Sequence, residues 1–508
     1  MKADWMEGYN AEEAYTAKYF RFLNPGYLNM CAITSGLRAI PTEESFTYCE
    51  LGCGYGLSIL MNAASYPQGT FYAIDYNPTQ IAYAQSLAKD AGLTNIHFLE
   101  LSFQDLVDNP SILPQFDFIV FHGIFSWVND INRDNLVKIC NHHLKSGGMV
   151  YNSYNVKPGW SITESLQQLM INLANELPGS TRSKMDTVLS EVNSLIDLKE
   201  GFFNEQQKTL KNYLKTIQSK DRTYLIQEYM NDDWRAFYFP EVYKKMLSAK
   251  LEYLGQALTV DKLSKQLQSK KLQSAIEKAD LIENRELIKD LAYNTKFRKD
   301  LYIRGNYGEI NRFEIQEWFL NQRWIRLTPL AKIEKYTFVF SQGKFDVANR
   351  DLYRCIMDSL AKEVMSGKDL LNKCKCKAGM LTEALTLLSH NNYIDIYKEL
   401  PKESNRINRA IVSRVFDSVD IEYILYPRAL RAYKTNRVHQ LFLDAIEQGY
   451  SKSSDLVEYV YNKFTHYQQS LTINGKALVG KELKEQLQVI EKAWREKILP
   501  IWKMAGVV

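Results

Sequence analysis

Short apolar runs alternate with amphipathic stretches between residues 48 and 155. The apolar runs have the length and the β-branched and aromatic content of strands, and the stretches between them have helical periodicity. Buried parallel strands joined by crossover helices produce this pattern. It predicts five strands in one parallel sheet, at 47–51, 70–75, 96–101, 117–122 and 148–154.

Helical periodicity surrounds this region. Residues 1–47 read as helical with a break at Asn24-Pro25-Gly26, and residues 161–177 form a further helix. We interpret 178–222 as a helical insertion. It carries a single apolar stripe, which predicts a homodimer contact because exposed stripes of this kind mark interfaces. The stripe consists of Met185, Val188, Leu189, Val192, Leu195 and Ile196.

The remaining pattern divides the chain further. A helix and a strand follow at 238–247 and 251–254, and a last edge strand at 300–305 closes a first domain, 1–310. Residues 311–400 are predicted to be winged-helix-like and regulatory, with helices at 352–364, after the capping residue Ser366 and at 378–389, then a strand at 393–397. Residues 401–508 are predicted to be all-helical. The fold class is therefore α/β, a Rossmann-like sheet with a helical insertion and two smaller C-terminal domains.

Composition excludes several classes of protein. The chain has 508 residues, 45% of them hydrophobic, and a formal charge of only +4, so neither disorder nor a global attraction to nucleic acid is expected. It has neither an apolar leader nor a run of about 18 apolar residues. We expect a cytoplasmic protein without membrane insertion.

The cysteines bear on the cellular compartment and on metal binding, and the third helix of the winged-helix-like segment bears on DNA binding. Seven scattered cysteines fit a reducing compartment better than a disulfide framework, and Cys374-x-Cys376 lacks a second pair at zinc spacing, so no metal site is predicted. The third helix of the winged-helix-like segment has few side chains suited to contact DNA bases, which favours a protein-interaction role over DNA binding. Lysines 373, 375 and 377 nearby favour DNA binding.

A glycine-rich turn follows the first strand. Glu50 is followed by Gly52, Cys53, Gly54 and Gly56 and then by a helix, whose free N–H groups face a polar ligand. Alone this signal is weak, and its E-x-G-x-G-x-G spacing fits pyrophosphate binding poorly. Asp75 strengthens it, because it ends the next strand where a carboxylate can meet ribose hydroxyls.

Four motifs in order resemble those of class I S-adenosylmethionine-dependent methyltransferases: the Glu50 turn, Asp75, Phe116-Asp117-Phe118-Ile119-Val120 and Leu144-Lys145-Ser146-Gly147-Gly148. Two further stretches, 122–128 and 153–160, resemble the bacterial members that carry a methyltransferase regulatory domain. Some of these, in rickettsiae, methylate lysines of outer-membrane adhesins. Phrases near 473–478 and 499–502 extend the resemblance to the C-terminus.

The resemblance implies S-adenosyl-L-methionine as cofactor, S-adenosyl-L-homocysteine as product and a specific set of contacts. Gly52 and Gly54 pass under the cofactor, Asp75 holds the ribose, and an N-terminal cap bearing Tyr15 or Tyr19 closes over the methionine end. Tyr76, Ser102 and Phe103 flank the adenine, although Ser102-Phe103-Gln104 lacks the acid that many members have after the third strand. Glu50, Cys53, Gly56 and His122 complete the predicted cofactor-binding set.

Methyl transfer needs chiefly the positioning of a neutral acceptor, so a dedicated base is optional. Aromatic walls could hold a lysine ammonium, and Phe125, Trp127, Tyr154, Trp160 and Tyr238 are candidates, each with simple packing as the alternative. Of these, Trp127, Tyr154 and Tyr238 join His122 as predicted catalytic residues, with His122 either a base or only hydrogen-bonded.

Three functions remain open. The first is protein-lysine N-methylation of a surface or outer-membrane protein before export, with the C-terminal modules docking the substrate. The second is methylation of a small molecule. The third is binding without turnover, which the complete set of Glu50, glycines and Asp75 disfavours. Only the resemblance favours lysine, because nothing in the spacing or composition fixes the substrate.

Overall fold

The structure is a computed structural model. It describes residues 17–219, 225, 231, 233–260, 268–305, 308–329, 337–340, 343–346, 350–400, 402–473 and 476–508.

A seven-stranded sheet organises the first three hundred residues, in the order β3-β2-β1-β4-β5-β7-β6. Its strands are β1 (Phe46–Leu51), β2 (Gly69–Asp75), β3 (Ile96–Glu100), β4 (Phe116–Phe121), β5 (Leu144–Asn155), β6 (Glu252–Gln256) and β7 (Phe297–Ile303). Strands β1 to β5 are parallel, whereas β7 is antiparallel to both of its neighbours. The five predicted parallel strands are confirmed.

The prediction of an edge strand at 300–305 is wrong. This strand is β7, which lies inside the sheet between β5 and β6. Its charged residues suggest an edge, but they neutralise one another: buried Arg298 pairs with Asp300 at 3.0 Å, Asp290 at 3.0 Å and Glu286 at 2.8 Å. A paired cluster of this kind is tolerated in a core where a lone charge is not.

Helices cover both faces of the sheet. They are α1 (Pro25–Thr34), α2 (Leu57–Ser65), α3 (Pro78–Asp90), α4 (Phe103–Asp108), α5 (Asp130–His143), α6 (Ser161–Glu176), α7 (Thr181–Ile196), α8 (Gly201–Gln218), α9 (Phe239–Ser248), α10 (Lys270–Glu277) and α11 (Ile282–Tyr293). Helices α1 and α2 pack on one face, and α4, α5 and α9 pack on the other. Successive strand residues serve opposite faces, so Tyr48 contacts the first layer and Cys49 the second.

Helix α6 follows β5, as predicted for 161–177, and helices α7 and α8 lie in the predicted insertion. The apolar stripe of α7 lies inside it: Val188 and Val192 are fully buried against α6 and α8. The stripe is therefore covered by its own chain. The expectation that it is exposed is wrong, and the homodimer inferred from it stays a prediction.

The middle region has a small three-stranded sheet in the order β11-β8-β12. Its elements are α12 (Arg312–Asn321), β8 (Arg323–Arg326), β9 (Thr337–Phe340), β10 (Gly343–Asp346), α13 (Arg350–Leu360), β11 (Met365–Ser366), α14 (Gly367–Cys374), α15 (Ala378–His390) and β12 (Ile394–Tyr397). Ser366 caps α14 through a reciprocal box with Asp369, as predicted.

A disulfide joins α13 to α14, between Cys355 and Cys374, whose Cα atoms are 5.8 Å apart. The expectation that the cysteines stay unpaired is therefore wrong. The two residues are brought together by the packing of two helices, which cysteine spacing alone does not reveal.

The C-terminal region contains α16 (Arg406–Ser413), β13 (Tyr423–Tyr426), β14 (Arg431–Lys434), α17 (Arg437–Glu447), α18 (Ser453–His466), β15 (Leu471–Ile473), β16 (Lys476–Leu478), α19 (Gly480–Lys497) and α20 (Leu499–Ala505). Single turns of 3-10 helix occur at Arg21–Leu23, Pro110–Ile112, Lys402–Asn405 and Pro427–Ala429.

The all-helical prediction for this region is wrong in one respect, since β13–β14 and β15–β16 form two hairpins. The sequence contains a signal for each hairpin: a run of residues with high β-propensity at Tyr423–Tyr426, and the turn dipeptide Asn-Gly at 474–475. The helical periodicity of the surrounding residues led to the all-helical prediction. Across the described part of the chain, no helix combines the length and apolar character that a membrane span requires.

Candidate active site

A cavity of about 480 Å³ opens at the carboxyl ends of β1, β2, β4 and β5. This is where parallel α/β sheets bind ligands, because the crossover connections diverge there. Its walls include most of the residues predicted from the sequence to bind a cofactor, namely Glu50, Gly52, Cys53, Gly54, Gly56, Asp75, Tyr76, Ser102, Phe103 and His122.

The glycine turn forms the floor of the cavity. Gly52, Gly54 and Gly56 have φ values of +71°, +56° and +68°, which disfavour other residues. A Cβ on Gly52 would lie 2.3 Å from Ile124 Cδ1, whereas one on Gly54 would meet nothing closer than Gln80 Oε1, at 3.8 Å. Gly54 therefore leaves open space on the cavity side, and Gly56 starts α2, whose N-terminal N–H groups point toward that space.

Asp75 ties the turn to the second strand. Its Oδ2 accepts a 2.8 Å hydrogen bond from the Gly54 N–H, and its Oδ1 accepts one of 3.0 Å from the Asn77 N–H. Burial raises the pKa of Asp75, and the backbone donors oppose that shift. Each oxygen keeps a second lone pair with which it could accept a ligand hydroxyl.

Glu50 lies near Asp75, and only 5% of the residue is exposed. Its Oε2 has no hydrogen-bond partner among the described residues. Burial, assisted by the charge of Asp75, raises the pKa of Glu50 to about 8. A buried carboxyl of this kind is stabilised by a cationic ligand group.

A polar and aromatic wall stands on the β2–β3 side. Asn77 caps α3 by accepting the Thr79 and Gln80 N–H groups, and Tyr76 precedes it. Ser102 caps α4 and hydrogen-bonds to Asp105, so the acid that is absent after β3 is present three residues further on. Asp105 is committed to this capping box.

His122 ends β4 inside the cavity. Its Nδ1 lies 2.8 Å from Tyr151 Oη and 3.0 Å from Ser153 Oγ, and Phe20 packs on its ring with 4.0 Å between centroids. Burial and the nearby Lys299 lower the pKa of His122 to about 3. The imidazole is therefore neutral at physiological pH and is a weak base.

Tryptophans line the mouth of the cavity. Trp127 and Trp160 belong to its wall, and Trp234 packs edge-on against Trp160 with centroids 4.8 Å apart. Trp160 donates its indole N–H to the Lys296 carbonyl. The Lys296 ammonium lies 6.0 Å from the Trp160 ring centroid and 5.8 Å from that of Tyr213, so the mouth already holds an alkylammonium group.

Four of the residues proposed from the sequence do not line this cavity, namely Tyr19, Phe125, Tyr154 and Tyr238. Tyr154 is fully buried in the core and donates a 2.5 Å hydrogen bond to Asp300, and Tyr238 lies 41% exposed at the start of α9. Neither side chain lines the cavity, because Tyr154 faces the layer opposite its neighbour Asn155 and Tyr238 stands at the exposed start of α9. Their catalytic roles stay predictions. Tyr15 lies outside the described residues; Tyr19 is buried among helices instead of lining the cavity.

Several lining residues were missed by the sequence reasoning. Phe20 crosses the cavity and donates its N–H to Ser58 Oγ at 3.0 Å. Asn155 ends β5 with a buried Nδ2 that has no partner in the described part of the chain, and Phe297 begins β7 with its ring 5.7 Å from that of His122. Position at a strand end was the available signal for both.

The donor set fits S-adenosylmethionine. The open space above Gly54 admits a ligand against the backbone, and Asp75 offers acceptors for ribose hydroxyls. The Glu50 carboxyl, whose Oε2 has no hydrogen-bond partner among the described residues, would be stabilised by a cationic group of the ligand. No group of three or more potential metal ligands converges in the part of the chain that was described.

Comparisons with known proteins agree with this geometry. The family described as "Methyltransferase domain" matches residues 49–148, and "Predicted methyltransferase regulatory domain" matches 221–304. The second match includes α9 to β7 and therefore covers the last two strands of the sheet. It ends before residues 311–400, the region that the sequence analysis predicted to be regulatory.

Whole-chain relatives extend the match. An uncharacterized protein of Synechocystis sp. is 30% identical over 99% of both chains. An uncharacterized protein of Rickettsia prowazekii is 26% identical over 64% of this chain and 58% of its own. PKMT2 from Rickettsia typhi, also solved in complex with AdoHcy, shares the fold with TM-scores of 0.70 and 0.71 at 19% identity, over 95% of this chain and 98% of that one.

The glycine turn, the two acids and these matches lead to one assignment, with S-adenosyl-L-methionine as the cofactor and S-adenosyl-L-homocysteine as the product. The chain belongs to the class I S-adenosylmethionine-dependent methyltransferases that carry a methyltransferase regulatory domain.

Proposed function

We propose that this enzyme is a protein-lysine N-methyltransferase that acts in the cytoplasm on a bacterial surface or outer-membrane protein before export. The observation that carries the proposal is the tryptophan-lined mouth of the cavity, beside which the Lys296 ammonium of the chain itself lies against Trp160 and Tyr213. The resemblance of the motifs to rickettsial lysine methyltransferases and the whole-length likeness to PKMT2 support it.

The aromatic mouth suits an alkylammonium. Trp127 and Trp160 line the cavity, and Trp234 packs with them in one cluster. Tryptophan rings attract a cation once it leaves water. A substrate lysine that enters here passes between these rings toward the glycine floor. A carboxylate substrate would gain nothing from the same surface.

The acceptor must lose its proton before it can react. His122 is a poor candidate for taking it, because a group with a pKa of about 3 does not deprotonate an ammonium whose reference pKa is about 10.4. Desolvation between aromatic rings lowers the amine's pKa instead, and the proton leaves to solvent. The bound cofactor supplies the methyl group. His122 then acts as a wall that supports Phe20 over the cavity.

Appended modules give the enzyme a docking surface. The chain devotes residues 311–508 to elements beyond the sheet, including the winged-helix-like middle region, and a small acceptor does not need that area. A large and partly unfolded acceptor makes use of it. The aromatic mouth contacts the lysine side chain and not the flanking residues of the substrate. We therefore expect several lysines to be methylated without a strict sequence motif.

One labelling experiment tests the proposal. The enzyme is incubated with methyl-labelled S-adenosylmethionine and, separately, with cell-envelope proteins, unfolded or folded, and with a small-metabolite extract. We expect label on lysine side chains of an envelope protein, more in its unfolded state, and little in the metabolite fraction. Trp160→Ala should reduce protein labelling about tenfold or more, because it removes a ring that attracts the substrate ammonium. Phe202→Ala should preserve labelling, because Phe202 is an aromatic residue of α8 that is 41% exposed and does not line the cavity. Label found only in low-molecular-weight products would favour the small-molecule alternative.

A further inference from the structure

The buried carboxyl of Glu50 has a role that ribose and adenine contacts do not explain. It occupies a cavity wall, is 5% exposed, and leaves its Oε2 without a hydrogen-bond partner among the residues described. A carboxylate left in this state costs stability, and native proteins keep such groups only where a ligand or a proton neutralises them.

Among the described residues, no cation forms a salt bridge with Glu50. The charge of Asp75 on β2 raises the pKa of Glu50, and the charge of Glu50 in turn raises the pKa values of Tyr48, Cys49 and Cys53. His122, at the end of β4, lines the same cavity in its neutral form, and Lys18 lines it from the N-terminal segment. Asp75 has both oxygens bonded to backbone N–H groups, so it is the better placed of the two acids to remain ionised.

We propose that Glu50 is protonated in the free enzyme and gives up this proton when a cationic group of the cofactor enters the cavity, so that cofactor binding releases a proton to solvent. The inference rests on the use of S-adenosylmethionine, which the family assignment gives. That cofactor carries a sulfonium and an ammonium, and either cation can stabilise the Glu50 carboxylate in a site shielded from water.

The same carboxyl would act in specificity. Once ionised, Glu50 and Asp75 place two negative charges in one desolvated cavity, which favours a cationic adenosyl compound and disfavours adenine nucleotides, whose phosphates would meet them. An enzyme that must choose its cofactor among abundant anionic nucleotides gains discrimination from this pair.

The pH dependence follows with a definite sign. Burial and Asp75 raise the pKa of Glu50 to about 8 in the free protein, so the carboxyl is mostly protonated at pH 7. Because the cofactor favours the ionised form, its affinity rises with pH below that value, by up to about tenfold per pH unit. Above it the gain levels off.

Calorimetry measures the released proton directly. S-adenosylmethionine is titrated into the native protein at pH 7 in phosphate and in Tris, whose ionisation enthalpies differ, and the difference in binding heat gives the number of protons exchanged. We expect a release approaching one proton per cofactor bound. S-adenosylhomocysteine distinguishes the two cations: an equal release assigns the ammonium as the partner of Glu50, and a release lost with this compound assigns the sulfonium.

Glu50→Gln is the decisive variant. Its amide cannot ionise, so we expect no proton release and an affinity that no longer rises between pH 6.5 and 8. Glu100→Gln is the matched control, because Glu100 is an exposed residue at the end of β3, two strands away from β1, and its substitution should leave the native release unchanged. If Glu50→Gln does not fold, infrared difference spectra of the native protein should still show the protonated-carboxyl band disappearing when cofactor binds.

The outcomes separate this inference from the assignment of function. Cofactor binding without proton release, or release that persists in Glu50→Gln, would overturn the role of Glu50 and leave the methyltransferase assignment intact. Absence of any cofactor binding to the native protein would contradict both.

Discussion

Asp75 stabilises the backbone of the cofactor site and is also predicted to bind the cofactor. The sequence predicts a ribose contact from its place at the end of β2, and the structure adds two hydrogen bonds from its oxygens to the backbone of the turn and of Asn77. The residue therefore holds the glycine floor in place before any ligand arrives. Its loss has two effects on binding, one direct and one through the shape of the turn.

Asp75→Ala should weaken S-adenosylmethionine binding tenfold or more. Hydrogen bonds to a charged group contribute about 1.5–3 kcal/mol each, and the variant loses the ligand contact together with the support of Gly54. Calorimetry on the folded variant measures the change, with Asp108→Ala as the control because Asp108 is exposed outside the cavity. Unchanged affinity in folded Asp75→Ala protein would remove Asp75 from the binding site.

Gly52 and Gly54 should respond differently to alanine. Both have positive φ, which costs about 1–2 kcal/mol for an L-residue. Gly52→Ala adds a clash with Ile124, 2.3 Å from the new Cβ, so its loss should appear chiefly in thermal or denaturant stability. Gly54→Ala points its methyl group into open cavity space, so its loss should appear chiefly in cofactor affinity. The opposite ranking would contradict the assignment of Gly54 to the cofactor floor.

The residues that could be predicted are those whose backbone conformation or strand-end position shows in the sequence. Glu50, the glycines, Asp75 and His122 belong to this group, and the cavity contains all of them. Tyr154 and Asn155 could not be sorted, because neighbours on a strand point to opposite faces and the sequence of β5 does not fix which face carries the ligand. Asn155 lines the cavity, whereas Tyr154 lies in the core.

At the scale of elements, periodicity identified strands and helices but not their partners. β7 carries arginine, lysine and aspartate, as an edge strand does, yet a buried ion-pair network places it inside the sheet. The apolar stripe of α7 correctly predicted a contact, but the surface that covers it belongs to the same chain. A hydrophobic face requires burial without specifying what buries it, and here α6 and α8 do so.

Leu189→Ala should therefore weaken the fold without changing association. Leu189 is 3% exposed within the α6–α8 cluster, and large-to-small changes at such sites cost about 2–5 kcal/mol. Denaturant unfolding measures this loss, and sedimentation should show the same assembly state as the native protein. The control is Leu198→Ala, two residues beyond α7, where the side chain is 53% exposed and the cost should be below about 0.5 kcal/mol. A stable Leu189→Ala protein with an altered assembly state would instead support a homodimer contact through the apolar stripe of α7.

The whole molecule joins the C-terminal region to the cofactor site. Ile407 and Ile411 of α16 pack in one cluster with Leu60 of α2 and Leu87 of α3. Arg414 reinforces this contact by donating to Asp90 and to Ser86. Helices α2 and α3 carry the glycine turn and the Asn77 cap at their N-termini. No periodicity in the sequence announces this contact, since its halves are separated by more than three hundred residues.

Cofactor binding should consequently protect α16 from hydrogen exchange, although α16 lies outside the cavity. A ligand at 100 times its Kd stabilises the native state by about 2.7 kcal/mol, which corresponds to roughly a hundredfold slowing for amides that exchange through an opening shared with the site. We expect slowing in α2, in α3 and in Arg406–Ser413, approaching this factor where exchange requires the cluster to open. The β15–β16 hairpin, whose Leu471 and Leu478 pack against the C-terminal core, should exchange at an unchanged rate. Mass spectrometry with peptide resolution distinguishes these segments. Protection confined to α2 and α3 would show that α16 opens independently of the site it packs against.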